Sequence, residues 1–327
     1  MARIFLDGFE GGDLSQFGAN SGAAIVSTSG LNMDGNYCLD LVTEAYAYLL
    51  LPIPEDDEIY MSFLYRPLSA KGSTWGSAIM SLYSGATLVA RILKPAGFGN
   101  ISAYAGGTLL STTARAFTGG TTFLVEWYYK IADSGGRCVV KVDGIIWMDF
   151  TGDTNVAAPT TFNSLQVGTD SLSDADAHYD NIILDDANWI GKRNIASNIA
   201  NGAGATTQLT PSTGANYSCV DEVPPSATDY VSGNTNDLVD TYSVAAIPGT
   251  VAYITAFQVQ ANVVKTGTPT PQNVQLALRS GGTNYFSTSK AVPTTAAIVA
   301  GIWELDPATS AAFVVGATRE IGVKLVA

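Results

Sequence analysis

At 327 residues the chain is long enough for two ordinary domains, and 46% apolar residues are enough for packed cores. Charged residues make up 14%, against about 25% in ordinary soluble domains, and the 33 glycines favour short strands and tight turns over long helices. A formal net charge of −13 argues against nucleic acid and against an anionic membrane surface as partners.

The pattern predicts an all-β chain. Arg3 to Leu14 opens with a short strand and a Gly-rich turn, and Gly35 to Leu41 and Ala45 to Leu51 read as the next strands. Pro52-Ile53-Pro54 is expected to break regular structure, leaving Glu55, Asp56, Asp57 and Glu58 in a solvated loop before a strand at Ile59 to Tyr65. Ser84-Gly85-Ala86 and Ala105-Gly106-Gly107 each join two strands as a hairpin.

Phe123 to Phe150 is the most strongly patterned stretch. Phe123, Val125, Trp127, Tyr129 and Ile131 alternate with Leu124, Glu126, Tyr128 and Lys130, as in a strand. Asp143-Gly144 is a two-residue hairpin signal that sets Val140 opposite Trp147 and Lys141 opposite Ile146. The strand after it is apolar on both faces and is expected deep in a sandwich. Ser164 to Gly168 and His178 to Asp185 complete a first domain over residues 1–190, with turn signals about every 8 to 12 residues.

Residues 191–327 form a second, smaller β-sandwich or barrel. Its start, about 192–230, is Gly-, Thr- and Asn-rich with little to bury, and reads as an extended arm. Such an arm either lies across a neighbouring subunit, the expected case, or wraps its own domain. Val251, Tyr253, Phe257, Val259 and Val263 share one strand face, and Val274, Leu276 and Leu278, then Ile321, Val323 and Leu325, supply further strands.

Reactive groups are sparse. His178 is the single histidine, no G-x-S-x-G elbow accompanies it, and a structural role is expected. Cys38, Cys138 and Cys219 form no CxxC pair and read as small core residues of a protein made in a reducing cytoplasm. No P-loop or dinucleotide motif is present. A retaining glycosidase needs two carboxyls about 5 to 5.5 Å apart, whereas the strands offer single acids, Glu126 and Asp149. Asp7, Glu10, Asp180, Asp185 and Asp186 could converge on a structural cation, with ordinary surface carboxylates as the alternative. Sugar binding would use exposed aromatics drawn from Tyr46, Tyr48, Tyr60, Tyr65, Trp75, Tyr83, Tyr104 and Tyr128. No catalytic, cofactor-binding or metal-binding residue is assigned, and the chain is expected not to be an enzyme.

Phe5 to Leu14, Val125-Glu126-Trp127 through Val142-Asp143-Gly144, Thr151 to Thr154, and Tyr179 to Asp186 resemble the concanavalin A-like (laminin G-like) jelly-roll domains of bacteriophage virion proteins. Leu209 to Tyr217, Val220 to Pro225, Asp240-Thr241-Tyr242, Leu278 to Gly282 and Trp303 to Thr309 are similar to phage structural proteins. The resemblance implies a virion surface component: a capsid decoration or fibre protein, or a tail accessory protein. It implies a homo-oligomer in contact with other virion proteins, made in the bacterial host cytoplasm. In it the second domain would hold the particle and the first would project. The alternatives are a tail receptor- or carbohydrate-binding module facing a host glycan, and a glycan hydrolase. The E-x-D-x-x-E strand that carries catalysis in enzymes of that superfamily is missing.

Overall fold

The computed structural model describes residues 3–20, 25–27, 33–41, 47–68, 76–94, 99–156, 159–169, 176–247, 250–267 and 272–327. The chain is all-β, a jelly-roll sandwich of two antiparallel sheets followed by a smaller β unit. It divides into Met1–Ala196 and Ser197–Ala327. Residues 191–196 therefore belong with the first unit, where the Ile195 N–H donates to Asn181 Oδ1 at 3.1 Å. Among the described residues no helix is long and apolar enough to cross a membrane.

The first unit has strands β1 (Arg3–Asp7), β2 (Ala19–Asn20), β3 (Ile25–Ser27), β4 (Cys38–Leu41), β5 (Ala47–Asp56), β6 (Glu58–Pro67), β7 (Ser77–Ser84) and β8 (Thr87–Lys94). It continues with β9 (Asn100–Ala105), β10 (Thr108–Ala116), β11 (Phe123–Lys130), β12 (Gly136–Val142), β13 (Ile145–Gly152), β14 (Phe162–Thr169) and β15 (Ala177–Asp185). One sheet runs β13-β12-β11-β6-β15-β4-β3, with β1 also on β15; the other runs β10-β9-β8-β7-β14-β5-β2. All pairs are antiparallel, so each strand sends alternate residues inward. Met61, Phe63, Trp127, Tyr129 and Tyr179 from one sheet meet Leu49, Met80, Leu82, Leu165 and Val167 from the other in one core.

Four local expectations are corrected. First, β5 continues through Pro52 and Pro54 to Asp56. Its partner β2 pairs only at Leu49 and Leu50, so beyond them that edge is open and a missing N–H costs no ladder bond. Second, Glu58 opens β6 and is no loop residue: its carboxylate accepts from Lys130 Nζ at 3.0 Å and Tyr128 Oη at 2.9 Å.

Third, β13 is the edge strand of its sheet, with Ile145 and Ile146 52% and 53% exposed. An apolar run marks a central strand only where both faces are covered. Fourth, Lys141 does face Ile146, but a bulge makes Val140 face Met148. Trp147 packs instead on Phe117 and Phe123, with ring centroids 5.4 and 6.5 Å away. The Asp143-Gly144 turn has the positive φ values, 51° and 76°, that a two-residue hairpin requires.

The second unit has β16 (Ala200–Thr207), β17 (Thr210–Pro211), β18 (Val231–Ser232), β19 (Val239–Val244), β20 (Phe257–Val263), β21 (Asn273–Ser280), β22 (Thr283–Phe286), β23 (Lys290–Ala291), β24 (Ala297–Trp303) and β25 (Glu320–Val326). Its main sheet runs β16-β19-β25-β21-β22, with β23 on β21, while β20 pairs with β24 and β17 with β18. Val251 and Tyr253, assigned from the pattern to a strand face, precede β20.

The Gly-rich arm lies in its own unit, where β16 pairs with β19. Its composition follows from close packing: a side chain at Gly204 would run into the Thr241 carbonyl. Asp240, fully buried, fastens the chain that follows. Its carboxylate accepts from the Gln208 and Leu209 N–H groups, Asn216 Nδ2 and Tyr242 Oη.

Candidate functional site

The second sheet of the first unit carries a polar row on the face turned away from the core. Cross-strand register sets Leu50 beside Gln166, Gln166 beside Ser81, Ser81 beside Arg91, Arg91 beside Tyr104, and Tyr104 beside Leu109. The inward neighbours in the same strands, Leu165, Leu82, Ala90 and Ala103, belong to the core, so the row faces outward. Tyr48, Tyr83 and Ser164 share this face two residues along their strands, as does Ser102, whose hydroxyl lies 3.0 Å from that of Thr112.

The row is recessed in the middle and open at one side. Ser81 and Gln166 are 1% and 4% exposed, whereas Arg91 and Tyr104 are half-buried. Gln166 Nε2 donates to the Gly168 carbonyl at 3.2 Å. The Arg91 guanidinium lies over the Tyr104 ring, 5.2 Å from its centroid. Arg91 Nε is buried and has no hydrogen-bond acceptor among the described residues. A buried donor left unpaired costs about 1 to 3 kcal/mol, so an arginine held this way has a reason to be there.

The other aromatics sort cleanly. Tyr65 is buried in the core, and Tyr46 and Trp75 lie outside the described residues. Tyr60 and Tyr128 stand on the outer face of the first sheet, their centroids 4.5 Å apart. Trp189 covers them at 5.6 and 6.0 Å, and Lys141 Nζ lies 3.3 Å from the Trp189 ring centroid. The segment following Trp189 is tied down: the Gly191 N–H donates to Glu126 Oε1 at 2.9 Å, and its carbonyl accepts from Ser62 Oγ at 3.3 Å. That cluster is already capped by its own chain.

The carboxylates weighed for hydrolysis are also engaged, Glu126 with Gly191 and Asp149 with Arg137 at 2.8 Å. His178 is fully buried between its cross-strand neighbours Asp40 and Arg66, with Nε2 3.4 Å from Asp40 Oδ1. Burial holds its pKa below the ordinary value, partly offset by Asp40. The three cysteines are buried and form no disulfide.

The acids near the chain start brace a turn. Phe9, at φ 58° and fully buried, donates its N–H to Asp7 Oδ1 at 2.7 Å. Glu10 accepts from the Asn36 and Tyr37 N–H groups at 2.8 and 3.0 Å. Asp180 accepts from the Asp34 and Asn181 N–H groups at 3.0 and 2.7 Å. Asp185 pairs with Arg3 at 3.4 Å. Among the described residues, no group of three or more His, Cys, Asp or Glu is placed to hold a metal ion.

Burial raises the Asp7 pKa to about 7 and the Asp180 pKa to about 8. Both folded values exceed the unfolded value of about 3.9, so the native state binds the extra protons. Their contribution to stability is complete below the unfolded pKa and is lost as pH rises through the folded values. Urea unfolding should therefore show a gain of about 2 kcal/mol from pH 8.5 to 6.5, a window that keeps the depressed His178 neutral. A flat profile across that window would mean both carboxylates stay charged in the fold.

One signal in the sequence marks the polar row, and it is charge rather than motif. Between Glu58 and Glu126 there is no Asp or Glu, whereas Arg66, Lys71, Arg91, Lys94 and Arg115 all fall there. In a chain with 29 acids and 16 bases this is a strong segregation. The stretch contains β7, β8, β9 and β10, and β14 adds no acid, so most of the second sheet is free of negative side chains.

No protein-family model matches the chain. No curated protein sequence matches it either. Among solved structures it is similar to the cellulose-induced protein Cip1, at 14% identity and a TM-score of 0.45, over 58% of this chain and 100% of that one. A Bacillus subtilis protein of unknown function with a galectin-like fold matches at 11% identity and a TM-score of 0.40, over 58% and 98%. A sialidase matches at 18% identity and a TM-score of 0.37, over 50% of this chain and 16% of the sialidase.

These likenesses concern the fold. They also correct the expectation that the chain is not an enzyme: the structures similar to it include that sialidase and an alginate lyase. What is established is the fold: a jelly-roll sandwich followed by a smaller β unit.

Proposed function

We propose that this chain is a surface protein of a bacteriophage particle whose first unit contacts a glycan through the outer face of its second sheet. The observation that carries the glycan reading is the row Gln166, Ser81, Arg91 and Tyr104. It combines an aromatic face, a cation and recessed polar groups on one rigid surface. Sugar rings stack on aromatic faces and satisfy their hydroxyls with side chains of this kind, and strands hold such groups in fixed register. The phage setting rests on the sequence resemblance. By the same resemblance the chain assembles with copies of itself and with other particle proteins.

Binding of the full chain to an array of bacterial surface glycans tests the reading. A specific set should bind, and Tyr104→Ala should weaken it about tenfold, some 1.4 kcal/mol, with the unfolding midpoint unchanged. An array with no hits, or hits indifferent to Tyr104→Ala, would remove glycan binding from this face. Release of shorter products from a bound glycan would show that the same face also cleaves.

A further inference from the structure

Resting on that glycan reading, we infer that the ligand is an acidic glycan, and that Arg91 receives a sugar carboxylate at the centre of the row. Three independent observations converge on it. Among the described residues the guanidinium lies over the Tyr104 ring and pairs with no carboxylate, and its buried Nε has no acceptor. The strands around it, β7, β8, β9, β10 and β14, contain no Asp or Glu, in a chain whose net charge is −13. Its neighbours across the strands are Ser81 and Tyr104, uncharged groups that do not compete for the cation.

Electrostatics explain why the segregation matters. A chain this acidic repels a polyanion at long range. The acid-free strands β7, β8, β9, β10 and β14 lessen that repulsion locally, and a half-buried guanidinium interacts more strongly than one in water. Arginine suits the task because its planar fork offers two parallel N–H donors to one carboxylate. A single fork neutralises a single negative charge. That matches a uronic or sialic acid unit better than a polysulfate or a pyrophosphate, which would ask for several cations together. Arg115, exposed on β10 of the same sheet, adds a further positive charge.

The test uses the full chain and matched oligosaccharide pairs. Each pair has a uronate- or sialate-bearing member and the same glycan with its carboxyl reduced to a hydroxymethyl group; sulfated glycans are included. The wild-type chain should prefer the carboxylated member at least tenfold, a comparison that needs no variant. Arg91→Gln should abolish the preference for the carboxylated member. Arg91→Lys, which keeps the charge and loses the fork, should retain only part of it. Equal binding of both members would overturn the acidic ligand while the glycan reading stood. Strongest binding to sulfated glycans would overturn the carboxylate. A preference that survives Arg91→Gln would overturn the assignment to Arg91. Binding to neither member anywhere on the array would overturn both readings.

Discussion

Trp127→Ala is expected to destabilise the first unit by about 3 to 5 kcal/mol, the range for removing a large buried aromatic. Trp127 is fully buried at the middle of β11, between Met61 on β6 and Val140 on β12. Its ring lies 6.0 Å from that of Tyr129, in the core that both sheets share. Neither sheet can close over the gap without breaking ladder pairs, so the cavity term stays large. Trp147→Ala makes the control. That ring is half-buried on the edge strand β13, so its loss should cost clearly less. Chemical denaturation of both variants decides the matter, and equal shifts, or a larger one for Trp147→Ala, would contradict the strand order.

Asp240→Ala should cost the second unit about 3 kcal/mol or more, because it strands several donors at once. The carboxylate is fully buried and receives two backbone N–H groups, the Asn216 amide and the Tyr242 hydroxyl. Those bonds hold residues 208–216 against β19, just beyond the strand that makes the edge of the sheet. Burial elsewhere in this unit is modest. Its core cluster is Val259, Leu276, Leu278 and Phe313, so little else compensates. Hydrogen exchange should register the loss first at Gln208 and Leu209 and then along β16, with the first unit unaffected. Asp240→Asn keeps one acceptor oxygen and should fall between. Unchanged protection at Gln208 and Leu209 in Asp240→Ala would show that strand pairing alone holds the segment.

Local pattern was sufficient for the strands and most hairpins. Alternation between Phe123 and Ile131 placed β11, and Asp143-Gly144 placed its hairpin, because side-chain direction and positive φ are properties of neighbouring residues. Local pattern misled where a residue's meaning depends on what lies beside its strand. The prolines of β5 are harmless only because the neighbouring strand stops short, and the apolar β13 is an edge only because nothing pairs beyond it. The glycines and threonines of β16 looked like a loose arm, yet they permit a close approach to β19.

The candidate site divides the same way. Charge segregation between Glu58 and Glu126 was present in the sequence, and so were Tyr83 and Tyr104 as aromatics. That Gln166 stands beside Ser81 and Arg91 was not, since β14 joins β7 from far along the chain. Sequence by itself determined the fold class, the turns and the charge balance, all set by residues close in the chain. Tertiary structure alone decided which strands are edges, which aromatics are covered and which polar groups share a face. Those follow from antiparallel register between distant strands, where a shift of one residue sends every side chain to the opposite face.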